Sequence, residues 1–280
     1  MGKRTKRKIT RIICVHVPLI VFLFATLAPF YWILVTSLKT SREVFAKPLS
    51  YWPRMLTFEN YVNLFANLGF NQYFINSMFV AVTTTIIVSV LALLGGYAMS
   101  RYRFKGKGFV YILLLITQMF PAVVLMIPLF EIMNKMGLIN NLWSLVINCS
   151  VSNLPFCLFM MMGYYNSIPR SLEEAAQVDG CSLLKAVFKI LLPTMRPSIV
   201  ATGAYAFINT WNVFVYATAF ITDREKYTIP LALNIFQGEF NTNYAGLAAG
   251  CVIALVPVLV IFAFIQKHLS GGATSGAVKG

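Results

Sequence analysis

Between two apolar runs that are each long enough to cross a bilayer lies a polar stretch, residues 171–193, SLEEAAQVDGCSLLKAVFKILLP. Its chemistry-bearing side chains are two adjacent carboxylates, Glu173 and Glu174, followed by Ala175, Ala176, Asp179 and Gly180. They form no catalytic constellation, and what their spacing specifies is local structure. Ser171 and Glu174 have the spacing of a capping box, and the two glutamates put negative charge in the first turn, where the helix dipole favours it. Gly180 is expected to close that helix and Ser182 to open a second one. In the second, Leu183, Leu184, Val187, Ile190 and Leu191 recur at helical spacing until Pro193 stops it. The stretch predicts helix, sharp turn, helix, lying against a membrane rather than crossing it.

The elements that must position this stretch are apolar. Of 280 residues, 58% are hydrophobic and 11% charged, against roughly 25% charged in soluble domains. An all-α membrane protein follows. Six runs of about 20 residues or more match the thickness of a hydrocarbon core; they cover residues 12–34, 73–99, 109–133, 143–164, 198–220 and 244–265. Lys and Arg set the orientation, because cytoplasmic loops retain them. Sixteen of the 23 fall in the amino-terminal tail, the loop after the second run, the loop holding 171–193 and the carboxy-terminal tail. Both termini are therefore expected in the cytoplasm. This divides the chain into a basic tail (1–11), a six-span domain (12–268) whose fourth inter-span loop is 167–197, and a final tail (269–280). The first run is too long for a cleaved secretory signal, and Pro29 follows the only small-residue cleavage point, so it reads as a span. The net charge of +14 is this topological signal together with attraction to anionic lipid; because the basic residues hug span ends, nucleic acid is not an expected partner.

Other residues stand out less. Five cysteines are scattered and His16 and His268 are isolated, so neither a disulfide framework nor a metal site is expected. There is no G-x-x-x-x-G-K-S/T pattern, so if ATP drives this protein another chain binds it. Two polar strips inside spans, Asn148, Ser150, Ser152 and Asn153 in the fourth and Asn209, Thr210 and Asn212 beside Trp211 in the fifth, need partners in hydrocarbon. They serve either as interhelical contacts or as a solute path. The prolines Pro121, Pro128, Pro155 and Pro257 interrupt backbone bonding within spans and are expected to kink them, and Gly95, Gly96, Gly203 and Ala204 allow close helix approach. The outer loop 37–72 reads as a cover folded on the membrane surface, whereas 221–243, with Gly238, Asn241 and Asn243, is the better candidate for meeting a partner. Ionisable groups are nearly absent from span interiors, which disfavours a proton- or sodium-coupled carrier.

Glu174-Ala175-Ala176, Gly180 and Ile190, Leu192 and Pro193 together resemble the EAA loop of the inner-membrane permeases of binding-protein-dependent ABC importers. The likeness extends along the chain through Asn76-Ser77, Tyr97-Ala98, Ser100-Arg101, Gln118-Met119-Phe120-Pro121, Trp211-Asn212, Tyr227-Thr228-Ile229-Pro230 and the ending Gly276-Ala277-Val278-Lys279-Gly280. In this order they are similar to the smaller permease of maltose-type sugar importers. The resemblance implies the type I importer permease fold, no catalytic residue, and no cofactor or metal. It implies residence in the cell membrane and function as half of a path for sugars, with non-sugar ABC permeases such as those for polyamines or peptides as the alternative and a secondary transporter less favoured. The implied partners are a second, different permease, a cytoplasmic ATPase dimer and an extracytoplasmic solute-binding protein. Glu173, Glu174, Ala175, Ala176, Asp179 and Gly180 are then expected to couple to the ATPase, and Gly276, Val278 and Lys279 to enter its interface. Gln237, Gly238, Glu239 and Asn241 are expected to meet the binding protein, and Asn153, Asn209, Trp211 and Asn212 to line a substrate path.

Overall fold

The computed structural model describes residues 12–237 and 242–275, with side chains described for 14–237 and 242–267. Among these residues there is no β-strand, only an isolated antiparallel bridge between Gln237 and Thr242. The chain forms two units, Met1–Gly69 with Leu233–Leu255 and Phe70–Ala232 with Val256–Gly280.

In the first unit, α1 (Val17–Ser37) follows a π-helical turn at Ile12–His16. It is apolar on all sides, and only Val35, Thr36 and Ser37 are buried. Leu19, Ile20, Phe22, Phe24 and Leu27 project outward, as expected of a helix whose surroundings are lipid or another chain. At its end the 37–72 loop is folded rather than loose. Asn60 Nδ2 donates to the carbonyls of Ser37 and Lys39 at 2.9 and 2.8 Å, Leu64 is fully buried, and Lys39 donates to Ser50 O and lies over the Trp32 ring. The Glu43 carboxylate accepts from Arg54 N at 2.7 Å and Ser50 Oγ at 2.9 Å. These bonds, the backbone one foremost, hold its pKa below the ordinary carboxylate range.

The second unit is built on three packed helices: α2 (Phe70–Arg101), α5 (Leu142–Ser167) and α8 (Arg196–Trp211). Between α2 and α5 the chain forms α3 (Lys107–Thr117) and α4 (Met126–Lys135). Between α5 and α8 lie α6 (Ser171–Val178) and α7 (Leu183–Ala186). After α8 come α9 (Val215–Phe220) and finally α10 (Tyr244–Ser275).

Among the described residues, four helical stretches are long and apolar enough to cross a membrane: Cys14–Ser37, Phe70–Arg101, Leu142–Ser167 and Tyr244–Lys267. The third apolar run, expected as one span kinked at its prolines, and the fifth, expected as one span, are each divided into two helices instead. In the third, Pro121 has no N–H to give, and α3 ends in two tight turns, Gln118 N to Leu115 O and Met119 N to Ile116 O. Pro128 falls in the first turn of α4, where that N–H is not needed. In the fifth, Val213 N turns back to Thr210 O and the Asn212 amide takes the Ile208 carbonyl, ending α8. Pro155 and Pro257 lie inside unbroken helices.

Two apolar clusters fill the second unit. One gathers Val80, Met133, Leu145, Val146, Phe220 and Ile221; the other gathers Val88, Ala92, Cys157, Met161, Tyr165, Leu191 and Met195. The close approach of α2 to α5 depends on glycine. A Cβ at Gly96 would stand 2.8 Å from Met161 Cβ and 3.0 Å from Met162 N.

Asn140 fastens the turn before α5. Its backbone is left-handed, with φ of 55°, and its Oδ1 accepts from Thr222 N at 2.6 Å, Thr222 Oγ1 at 2.9 Å and Asp223 N at 3.1 Å. Asn140→Ala loses those acceptor bonds and places a Cβ residue poorly suited to αL. It is expected to destabilise by about 2–3 kcal/mol, at roughly 1 kcal/mol per lost bond. Asn140→Gly relieves the backbone but not the bonds, so the thermal midpoint of the purified protein should fall in both variants, further in the alanine one. Equal midpoints for parent and variants would show that the turn is held by something else.

Candidate coupling site

The 171–193 stretch folds as a helix, a glycine turn and a second helix. α6 begins one residue earlier than a Ser171 capping box requires: Arg170 occupies the N-cap position without a side-chain bond to the helix's own N–H groups, and Glu173 N and Glu174 N both donate to Arg170 O. Ser171 is therefore inside the helix, and the expected capping box does not form. Arg170, directly behind Pro169, already has helical angles, φ −62° and ψ −27°. At the other end Gly180 adopts φ +83°. Gly180 N donates to Gln177 O at 3.0 Å and Cys181 N to Ala176 O at 2.9 Å, the paired bonds of a Schellman termination. Ser182 then caps α7, its Oγ accepting from Lys185 N at 3.4 Å. Pro193 does not stop this helix: after a π-helical turn at Val187–Leu191 it enters the short helix Leu192–Thr194 at a position needing no N–H.

The two glutamates point different ways. Glu174 is exposed, as are Ala175, Gln177, Val178, Asp179 and Gly180, whereas Glu173 and Ala176 are buried. Glu173 accepts from Arg101 Nε at 2.5 Å through Oε1 and from Tyr97 OH at 2.9 Å through Oε2. Both donors sit at the end of α2, four residues apart and so on one face. Further bonds tie the same two places. Arg101 NH2 donates to Ile168 O at 3.0 Å, Arg170 NH2 to the carbonyls of Ser100 and Arg101 at 3.2 and 3.3 Å, and Ser100 Oγ to Asn166 Oδ1 at 2.6 Å. The side chains of Arg101 and Glu173 are 8% and 9% exposed. Each charge in such a pair depends on the other, since removal of one partner from a buried pair costs about 3–5 kcal/mol. In the sequence Arg101 counts toward orientation and toward the family likeness through Ser100-Arg101, and neither points to Glu173. The available signal was a tyrosine and an arginine at helical spacing at the end of an apolar run.

The other expected positions are spread out. Asn153 is buried and its Nδ2 donates to Cys149 O at 2.8 Å and Thr210 Oγ1 at 3.4 Å, joining α5 to α8. Trp211 is 3% exposed, stacked on Phe207 and edge-on to Phe74. Asn209 and Asn212 are exposed, with their amides donating to Tyr205 O and Ile208 O of their own helix. Gln237 is exposed beside its bridge to Thr242. Gly238, Glu239, Asn241, Gly276, Val278 and Lys279 lie outside the described residues, as does the 1–11 tail.

Among the described residues, four helices long and apolar enough to cross a bilayer, with a short helix pair bonded to the end of one of them, mark a polytopic membrane protein. Residues 90–274 match the binding-protein-dependent transport system inner membrane component family, and the chain belongs to that family. It is 35% identical over 254 residues to the sulfoquinovosyl glycerol transport system permease protein SmoH of Agrobacterium fabrum, covering 91% of this chain and 89% of that one. It is 32% identical over 257 residues to the trehalose/maltose transport system permease protein MalG of Thermococcus litoralis, covering 91% and 92%. Its fold matches a chain of a bacterial ABC transporter involved in the import of the acidic polysaccharide alginate, with a TM-score of 0.79 over 95% of this chain and 98% of the other at 24% identity. The chain is thus a membrane transport component, not an enzyme, and it resides in the inner membrane.

Proposed function

We propose that this chain is one of two permease subunits of an ATP-driven importer of sugars or oligosaccharides, and that α6 is where it meets the ATPase. The observation that carries the docking role is the division of α6 into two faces. Glu173 fastens it to α2 and Ala176 is buried, while Glu174, Ala175, Gln177, Val178 and Asp179 are exposed. The substrate class rests on relatives named for trehalose or maltose and for arabinooligosaccharides.

The membrane is crossed six times in this reading. Two crossings are made by the broken pairs α3–α4 and α8–α9, and both termini face the cytoplasm, as the Lys and Arg distribution supports. Irregular backbone is tolerated at membrane depth only where protein covers it or water lines it. The turn at 118–125, with Met119 79% and Val124 65% exposed, therefore faces either the second permease or the solute path. The exposed Asn209 and Asn212, at the break that ends α8, supply polar groups to that path, and Asn153 and Trp211 hold α8 in place behind them. The uncovered α1 gives a second, different permease an apolar surface. Residues 237–241 reach the solute-binding protein, and the 276–280 tail reaches the ATPase dimer.

A single cysteine at Val178, in a background without the native cysteines and in the assembled transporter, should crosslink to the ATPase under a short bifunctional maleimide. The same cysteine at Ala176 should not. A transport-competent complex in which Val178→Cys yields no adduct would remove the docking assignment.

A further inference from the structure

The bonds around Glu173 fix more than one helix. α2 runs 32 residues without an internal proline, about 48 Å at 1.5 Å per residue; the other three long helices contain Pro29, Pro155 and Pro257. Its Arg101 end carries the clamp on α6. Its Phe70 end carries a second set of bonds: Asn76 Nδ2 donates to Glu225 O at 2.8 Å and Tyr227 O at 3.0 Å, and Ser77 Oγ accepts from Ile229 N at 2.7 Å. Asn76 and Ser77 are 4% and 3% exposed, so both attachments are shielded from competing water. One uninterrupted helix is thereby bonded at one end to the coupling helix and at the other to the segment following Asp223.

We propose that Arg101 and Glu173 are a positioning pair that fixes α6 to α2, so that α2 carries a movement of the coupling helix to the 225–229 segment as a rigid rod. The inference rests on the reading of α6 as the ATPase dock. A buried charge pair suits this task because a charge left alone in a dry site is strongly unfavourable, which gives the joint one arrangement rather than several. Tyr97 fills the remaining carboxylate oxygen and sets the rotation of the carboxyl group. Neither residue touches the ATPase in this arrangement; both act through the orientation of α6.

The test uses the complete transporter, with its ATPase and binding protein, in lipid nanodiscs. Spin labels at Val82 on α2 and Gln177 on α6 should report the same distance in the nucleotide-free and ATP-trapped states of the parent. In Glu173→Gln the distance should broaden and differ between states. ATPase co-purifying with the permease should stay at the parental ratio, while solute taken up per ATP hydrolysed falls about tenfold, within the usual range of coupling between sites. Tyr97→Phe should fall less. Asn76→Ala, at the far end, should lower the same ratio with the Val82 to Gln177 distance undisturbed. If the parental distance itself changes by a helical turn, about 5.4 Å, between the two states, the joint is not rigid and the inference is wrong. That measurement leaves Arg101 and Glu173 intact, so poor assembly of Glu173→Gln does not shelter the idea. An unchanged uptake-to-ATP ratio in Glu173→Gln would also overturn it. Should Val178→Cys crosslink to the ATPase while Glu173→Gln couples normally, the rod falls and the dock stands; should the crosslink fail, the docking reading falls on its own.

Discussion

Gly180→Leu is expected to uncouple the transporter, giving uptake at least fivefold below the parent's at equal membrane abundance. The cause is backbone geometry. At φ +83° an L side chain costs roughly 1–2 kcal/mol, which shifts the turn between its native and competing conformations by a factor of about five to thirty. Nothing within 4 Å of the added Cβ belongs to this chain, so the penalty comes from the left-handed conformation and not from a clash inside the subunit. The Schellman bonds from Gly180 N and Cys181 N fix the angle between α6 and α7, and a turn that leaves αL loses both. Gly180→Asn, whose side chain tolerates αL, should keep most of the coupling. Uptake per ATP in reconstituted vesicles decides the matter, and a leucine variant that transports like the parent would show that the turn's handedness does not matter.

The second large effect is expected at Gly96, and its neighbour supplies the control. A methyl group at either Gly95 or Gly96 would come within 2.8 Å of a neighbour on α5. At Gly95 the neighbour is Leu158 Cδ1, the end of a side chain that can rotate away. At Gly96 it is Met161 Cβ, with Met162 N at 3.0 Å, and both atoms move only if α5 moves. Gly96→Ala should therefore destabilise by about 1–3 kcal/mol, the usual penalty for overpacking, and Gly95→Ala by markedly less. Gly96→Leu should prevent recovery of a folded, monodisperse protein. Thermal unfolding in detergent ranks the alanine variants, and equal midpoints for the two would mean that the helices separate more readily than their packing implies.

Much of this architecture is legible in the amino-acid sequence because apolar run length is a strong signal. The helix pair at 171–193 is legible for a different reason: Gly180 and Ser182 are local punctuation with local causes. The start of α6 was misread because Ser171 and Glu174 satisfy a spacing rule, whereas the backbone is already helical at Arg170. The breaks in the third and fifth runs were hidden because hydropathy continues across them, and neither Pro121 nor Asn212 announces whether it kinks a helix or ends it. Glu173 shows the limit most plainly. It is adjacent to Glu174 and chemically identical, yet about 100° of helical rotation turns one carboxylate toward Arg101, 72 residues earlier, and leaves the other in the open. Composition and spacing cannot separate such neighbours, because the distinction lies in a tertiary contact. Trp211 and Asn212 divide in the same way, one packed and one exposed.

The bare flank of α1 bears on how cells must make this protein. A helix with Phe24 76% and Phe22 67% exposed gains nothing from its own chain over most of its length, so an orphan copy differs from an assembled one chiefly in what surrounds that flank. A membrane protease that samples loosely held helices is expected to discriminate between the two, cutting the orphan copy faster. Under the two-permease reading proposed above, copies of this chain made in excess of the companion are expected to be lost, so the scarcer of the two chains would set the number of transporters.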